Sequence, residues 1–202
     1  MAIRAGADAV GMVGKMPSGP GPIADELIAA IAKKIYPPIA SFLLTSEQSA
    51  TGIIEHIKRV NTNTVQIVDE LTDGAYMHIR EALPHVRIVQ VIHVTGRESI
   101  EQALQVQGYV DAILLDSGNP KLAIKTLGGT GNAHDWHISS ELVASVNVPV
   151  FLAGGLNPQN IAEAITTVKP FAVDVCSGVR TNGKLDKQKL ESFIAAVKSV
   201  SL

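Results

Sequence analysis

The chain has 202 residues, of which 46% are hydrophobic and 18% are charged, a balance that indicates one globular domain with a single core. Aromatic residues make up only 4% and the net charge is −2, which argues against a nucleic-acid or membrane-surface partner. We expect a soluble, cytoplasmic protein, because Cys176 is the single cysteine and neither a signal peptide nor an apolar run of about 20 residues is present.

Short apolar runs recur along the whole chain. Each is nearly continuous rather than alternating, which is typical of strands covered on both faces. We predict seven strands, at residues 9–13, 39–44, 64–68, 86–92, 112–115, 148–152 and 171–175.

Amphipathic stretches follow each predicted strand. They predict helices at residues 25–35, 47–60, 72–83, 97–107, 138–146, 158–168 and 186–200. Three of these have start signals: Thr45 or Ser46 before the second helix, Asn157 with Pro158 at the first helical position, and Asp186 before the last helix.

Strands that alternate with helices predict a parallel α/β sheet, either doubly wound and open or closed into a barrel. The opening lacks the glycine-rich fingerprint of a dinucleotide fold, so the TIM-type (β/α) barrel is favoured. A full barrel has eight strands, whereas this chain begins in an apparent helix end at residues 1–5, before Gly6. We therefore expect a single domain over residues 1–202, with seven parallel strands and the first barrel strand missing.

Two glycine-containing loops follow the last two predicted strands. Gly154 and Gly155 precede a capped helix start, and Ser177 and Gly178 follow the final strand. Glycines let backbone N–H groups approach an anion, and a barrel commonly binds phosphate at these two positions. These loops predict a site for a phosphorylated small molecule. The alternative is that the glycines only form tight turns.

Asp116 ends the fifth predicted strand, where a carboxylate points into the mouth of a barrel and can act as a general acid. The alternative is that it only braces its own loop. That loop contains Gly128 and Gly129 and could close over a substrate as a lid.

Several of these motifs occur in an order and spacing that resemble phosphoribosylanthranilate isomerase over nearly the whole chain. The motifs are Leu-Leu-Asp-Ser at 114–117, Gly-Gly-Thr-Gly at 128–131 with Asp-Trp at 135–136, Leu-Ala-Gly-Gly-Leu-Asn-Pro-Gln-Asn at 152–160, Val-Asp-Val-Cys-Ser-Gly-Val at 173–179, Ala-Gly-Ala-Asp-Ala-Val-Gly at 5–11 and Val-Gln at 65–66.

The resemblance implies an Amadori rearrangement of N-(5-phosphoribosyl)anthranilate in tryptophan biosynthesis, which needs no cofactor and no metal. It implies that Asp116 is the general acid that opens the furanose ring. It also implies that the loops holding Gly128, Gly129, Gly154, Gly155, Ser177 and Gly178 bind or cover the substrate and its phosphate.

The chain departs from this family at the proposed base and at one substrate contact. The family's base is a cysteine on the first strand, and Cys176 does not occupy that position. The family's arginine after the second strand is also lacking, which leaves Lys15 as the nearest cation, without the bidentate geometry of arginine. His93 is a candidate replacement base, and its alternative role is a hydrogen bond within its loop.

Three functions remain open at this stage. The chain is an isomerase whose reading frame starts late, a diverged enzyme for another sugar phosphate, or a phosphate-binding module that has lost its base. A missing strand would also leave two sheet edges open, which makes a homo-oligomer an expected partner state.

Overall fold

The computed structural model describes residues 1–17, 21–71, 76–117 and 135–200. Seven strands form one sheet: β1 Ala9–Val13, β2 Ala40–Thr45, β3 Thr64–Ile67, β4 Arg87–His93, β5 Ala112–Asp116, β6 Val150–Leu152 and β7 Ala172–Val173. The helices are α1 Ala2–Ala5, α2 Asp25–Ala32, α3 Ala50–Val60, α4 Tyr76–Ala82, α5 Glu98–Val106, α6 Trp136–Ser145, α7 Ile161–Val168 and α8 Lys187–Ser199. A 3₁₀ helix at Ser177–Val179 and a small hairpin, β8 Arg180–Thr181 with β9 Lys184–Leu185, precede α8.

The strands lie in chain order from β1 to β7, and every neighbouring pair is parallel. The predicted seven-stranded parallel sheet is therefore confirmed, with strand ends shifted by one or a few residues. Within the described residues β1 and β7 are the two edges of the sheet and do not pair with each other.

The sheet is strongly curved, as two aromatic rings show. Phe42 on β2 and Phe151 on β6 have ring centroids 6.3 Å apart. In a flat sheet four strand spacings would hold them about 19 Å apart, so the sheet curls until its inner face meets itself. The side chains enclosed by this curl form an inner cluster that contains Phe42, Leu44, Val68, Val89, Val91, Ala112, Leu114, Phe151 and Ala153. The architecture is the predicted barrel type, open along one side.

A second and larger core lies between the outer face of the sheet and the helices. On β5, for example, Ile113 and Leu115 face this outer core while Ala112 and Leu114 face the inner cluster, as strand alternation requires. Helix α1 packs against α8, so the helical layer continues past the open side of the sheet. No helix in the described ranges combines the length and apolarity needed to cross a membrane.

One of the three predicted helix starts is placed differently in the structure. Ser49, rather than Thr45 or Ser46, caps α3 by accepting a hydrogen bond from the Gly52 amide at 3.1 Å, because Thr45 is still part of β2. Asn157 acts as the predicted cap, because its Oδ1 accepts from the Gln159 amide at 2.9 Å and from the Asn160 amide at 3.2 Å, and the regular turns of α7 follow from Ile161. Asp186 caps α8 as predicted and accepts from the Lys189 amide at 3.1 Å.

The amino-terminal ends of β4 and β5 are joined by the carboxylate of Asp111. It accepts hydrogen bonds from the Ile88 amide at 2.8 Å, from Arg87 at 2.9 Å and from Arg80 at 3.2 Å. Partial burial on its own raises the pKa of Asp111, but the amide and the two guanidinium groups outweigh it and leave the pKa below its ordinary value. This network lies at the opposite end of the sheet from the candidate site.

Candidate active site

Four residues form a row across the carboxyl ends of β4 to β7. His93 is the register partner of Asp116, and Leu115 and Leu152 pair one residue before Asp116 and Ala153. Leu152 in turn pairs with Val173, one residue before Asp174. The register therefore places His93, Asp116, Ala153 and Asp174 side by side at the mouth of the curled sheet.

Asp116 faces into this mouth. It follows Ala112 and Leu114 at two-residue intervals, and both belong to the inner cluster. Its carboxylate accepts a hydrogen bond from the Ser117 amide at 2.7 Å and is partly open to solvent. Asp116 therefore lies at the mouth, at the strand end that the sequence predicted. Its role as a general acid stays a prediction, and the contact with Ser117 also fits the bracing role.

Asp174 is a residue that the sequence reasoning did not select. Its side chain is accessible from the open edge at β7, yet protein atoms lie around its carboxyl group. Desolvation, the largest cause, and the negative charge of Asp116 together raise the pKa of Asp174 to about 6, against a hydrogen bond from the Val175 amide that lowers it. The acidic residue in the Val-Asp-Val motif was visible in the sequence, but the proximity of Asp116 was not.

The loop after β6 is a turn that needs glycine at two successive positions. Gly154 and Gly155 have φ values of 81° and 67°, in the left-handed region that glycine adopts without strain. The side-chain amides of Asn157 and Asn160 donate to the Gly155 carbonyl at 3.3 and 3.0 Å. They hold that oxygen in place, while the N–H groups of Gly154 and Gly155 donate to no other atom of the described residues. These N–H groups are free for an anion.

The loop after β7 packs directly against the loop after β6. A Cβ atom added to Gly178 would lie 1.9 Å from the Leu156 carbonyl oxygen and 3.0 Å from the Asn157 Cα. Only glycine permits so close an approach of two backbones. Gly154, Gly155, Ser177 and Gly178 therefore lie in two adjoining loops, called the cradle below.

His93 is held in one orientation by the backbone of the neighbouring strand. Its Nε2 lies 2.9 Å from the Val68 carbonyl oxygen, which can only accept, so Nε2 carries the proton. Nδ1 is buried and has no hydrogen-bond partner in the described part of the chain. The hydrogen bond to the loop after β3 is the alternative role considered for His93, and a catalytic role stays a prediction.

Of the remaining candidate residues, Lys15 is described by the structure and the two glycines of the proposed lid are not. Lys15 is exposed just after β1, where its carbonyl accepts a hydrogen bond from Ser46 at 2.9 Å. Gly128 and Gly129 lie outside the described residues, so the proposed lid is not placed.

A cavity of about 280 Å³ lies beside the mouth, next to the ends of β3 and β4 and helix α5. Its lining includes His93, Gln90 and Tyr76 but neither Asp116 nor any residue of the cradle. It is therefore separate from the cradle and is not the candidate active site.

Comparisons with known proteins agree with this geometry. The family model described as N-(5'-phosphoribosyl)anthranilate (PRA) isomerase matches residues 39–196. The chain is 36% identical to the N-(5'-phosphoribosyl)anthranilate isomerase of Methanocella arvoryzae over 194 residues, which cover 96% of this chain and 89% of that protein.

Two solved structures show the same fold. One contains monomers generated from the dimeric phosphoribosylanthranilate isomerase of Thermotoga maritima, with a TM-score of 0.77 and 26% identity. The other is a phosphoribosylanthranilate isomerase in complex with reduced 1-(o-carboxyphenylamino)-1-deoxyribulose 5-phosphate, with a TM-score of 0.76 and 26% identity. Each alignment covers 98% of this chain and 91% of the other. This chain belongs to the N-(5'-phosphoribosyl)anthranilate isomerase family.

Proposed function

We propose that the chain isomerises N-(5-phosphoribosyl)anthranilate to the corresponding aminoketose in tryptophan biosynthesis. The observation that carries this proposal is the position of Asp116 on the inner face of the curled sheet, at the same mouth as the cradle. A substrate bound in the cradle through its phosphate can present its sugar ring to Asp116. A solved relative of the same fold is described in complex with a reduced deoxyribulose 5-phosphate compound, which supports a phosphorylated ligand for this site.

The cradle supplies the binding energy for the phosphate. In this proposal the amides of Gly154 and Gly155 donate to the phosphate, and the start of α7 at Ile161 contributes the positive end of its dipole. Ser177 and Gly178 add donors from the adjoining loop. Because most of these donors belong to the backbone, the phosphate is recognised by shape and charge without a dedicated arginine.

Asp116 acts as the general acid in this proposal. In its protonated form it donates to the furanose ring oxygen, so that the C1–O bond breaks and the ring opens. Lys15, across the mouth after β1, is placed as a point charge for the anthranilate carboxylate. The loop with Gly128 and Gly129 is proposed as the cover over the bound substrate.

The proposal is tested by turnover of N-(5-phosphoribosyl)anthranilate by the wild-type chain and by Asp116→Asn. We expect kcat to fall by about 10²–10⁴-fold in the variant, because one positioned acid contributes about that much. Affinity for inorganic phosphate should be unchanged, since the cradle is intact. The matched control is Asp8→Asn, because Asp8 is exposed and precedes β1 at the opposite end of the sheet.

A second function, that of a phosphate-binding module without catalysis, is favoured by one observation. Cys176 is the single cysteine of the sequence and lies beyond β7, so none of the strands β1 to β7 carries a cysteine that could act as a base. Tight phosphate binding with no turnover of any phosphorylated aminoaldose would support this second function. Turnover of another sugar phosphate alone would instead indicate a diverged enzyme.

We also propose that the chain associates with itself through the open side of the sheet. Backbone groups on the outer sides of β1 and β7 have no strand partner among the described residues, and Phe171 beside β7 is 72% exposed. Such edges favour pairing with another strand. The Thermotoga maritima relative is itself described as dimeric.

A further inference from the structure

A network of polar side chains centred on a buried histidine lies beside the mouth, and the proposed reaction does not use it. His56, on the buried face of α3, has its Nδ1 3.0 Å from the hydroxyl oxygen of Thr45 at the end of β2. Its Nε2 lies 3.0 Å from one carboxylate oxygen of Asp25, and Arg59 donates to the other oxygen at 3.0 Å. These four residues are called the clamp below.

The hydrogen bonds of the clamp fix the orientation of the imidazole ring. Partial burial on its own raises the pKa of Asp25, but the hydrogen bond from Arg59 and the interaction with His56 outweigh it and leave the pKa below its ordinary value. The ionised carboxylate can only accept, so Nε2 carries the proton. In the neutral imidazole Nδ1 then accepts from the Thr45 hydroxyl. Both nitrogens of this side chain, which is only 5% exposed, are therefore satisfied.

Both ends of the loop between β1 and α2 contact this ring. The loop begins at Gly14, where an added Cβ atom would lie 2.6 Å from Cε1 of His56 and 3.1 Å from its Nε2. Only glycine permits the backbone to lie so close to the ring. The loop ends at Asp25, the first residue of α2, whose carboxylate accepts from the same ring. One imidazole therefore holds the start and the end of this loop together.

The clamp lies next to Lys15 in the chain and in space. Lys15 directly follows Gly14, and its carbonyl accepts a hydrogen bond at 2.9 Å from Ser46, the residue after Thr45. Met16 packs against the inner cluster, so the start of the loop turns towards the inside of the curled sheet. The side chain of Lys15 is exposed while the backbone on both sides of it is held.

We propose that His56 is a positioning residue for the isomerisation, because it fixes the loop after β1 so that Lys15 meets the anthranilate carboxylate. Lysine is a point charge on a flexible stem, so its placement depends on the backbone that carries it. The inference rests on the proposed function for the contact between Lys15 and the substrate. The clamp itself is a property of the unliganded protein and is tested separately.

The positioning role is tested by turnover of N-(5-phosphoribosyl)anthranilate by His56→Leu, in which the new side chain suits the buried face of α3 but cannot donate to Asp25. We expect KM to rise about tenfold, as for the loss of one hydrogen bond to a charged group. The kcat should stay within about twofold of wild type, because the carboxylate is remote from the bonds that react and is held equally before and in the transition state.

Two further variants separate this role from a purely structural one. His56→Gln should recover most of the wild-type KM, because the glutamine amide can donate to Asp25 in place of Nε2. His78→Leu is the matched control, since His78 is exposed on α4. If His56→Leu lowers the urea midpoint but keeps the KM of His78→Leu, His56 has only a structural role and the proposal is wrong.

A double-mutant cycle decides whether His56 acts through Lys15. Lys15→Ala alone should raise KM about tenfold, and adding His56→Leu should raise it by less than about twofold more. Two independent tenfold effects would overturn the positioning role and leave the proposed function standing.

Hydrogen exchange tests the clamp without substrate. The Gly14 amide donates to the backbone of β2 at 2.9 Å, and the Ile23 amide donates to the end of β1 at 3.0 Å. Both amides should exchange at least about tenfold faster in His56→Leu than in the wild type, whereas the amide of Phe171, beside β7, should be unaffected. Unchanged exchange at Gly14 and Ile23 overturns the clamp. A wild-type chain with no turnover overturns the proposed function and the positioning role together, and exchange then decides the clamp alone.

Discussion

Replacing Gly178 by alanine perturbs the contact that joins the two loops of the cradle. The added Cβ would meet the Leu156 carbonyl oxygen at 1.9 Å, the Leu156 carbonyl carbon at 2.9 Å and the Asn157 Cα at 3.0 Å. All three atoms belong to the backbone, so no flexible side chain can move aside. Ordinary contact begins at 3.4 Å, and the two loops must therefore separate by about 1.5 Å.

The size of the effect follows from this displacement. Overpacking of this kind costs about 1–3 kcal/mol of the free energy of unfolding. A shift of about 1 Å in groups that position a substrate can lower kcat/KM by about 10²-fold, so we expect a loss of at least that size. Phosphate affinity should fall as well, because donors from the two loops no longer converge on one anion.

Urea denaturation, phosphate titration and turnover measure the three effects in parallel. Gly108→Ala is the matched control, because a Cβ there meets no atom within 4 Å. We expect it to unfold and bind phosphate as wild type does. If Gly178→Ala behaves like Gly108→Ala in all three measurements, the loops are not packed as described and the cradle argument fails.

Two further predictions concern stability and association. Asp111→Asn should lower the free energy of unfolding by about 1–2 kcal/mol at pH 7, since a charged acceptor of three hydrogen bonds is lost and two of its partners are partly exposed. Because the pKa of Asp111 is lowered in the folded protein, the stability difference between wild type and variant is complete above pH 3.8, the ordinary pKa of aspartate, and disappears as the pH falls below that value. Urea titrations from pH 7 to pH 2 measure this difference, and a constant difference over that range would refute the assignment. Phe171→Lys should raise the concentration at which the chain associates by about tenfold, because it removes an exposed aromatic ring and adds a charge at the β7 edge. Sedimentation velocity over a concentration series measures this, and equal profiles for the two proteins would exclude β7 from the interface.

The sequence was sufficient for the order of elements and for most of the cradle. Continuous apolar runs predict strands wherever they are found, because a parallel strand is buried on both faces whichever neighbour it has. The same reasoning placed Asp116 at the mouth, since strand direction and alternation are local properties. Asp186 was predicted as a helix cap for a similar reason, because its partner is the amide three residues away.

Predictions failed where the deciding contact came from another part of the chain. Thr45 has the chemistry of a helix cap, but its pairing with Ile67 keeps it in β2, and Ser49 caps the helix instead. The pairing of Thr45 with Ile67 cannot be read from local sequence.

The sequence by itself determined the parallel α/β class, the position of Asp116 at a strand end and the two glycine loops, because these depend on periodicity and on residue type. Only the tertiary structure decided three contacts. Gly178 packs against the Leu156 carbonyl, and the Val68 carbonyl accepts a hydrogen bond from Nε2 of His93. The negative charge of Asp116 raises the pKa of Asp174. Each of these joins residues on different strands or loops, and the curl of the sheet brings them together. An ionisable group acquires its chemistry from such neighbours, which is why the raised pKa of Asp174 could be inferred only in three dimensions.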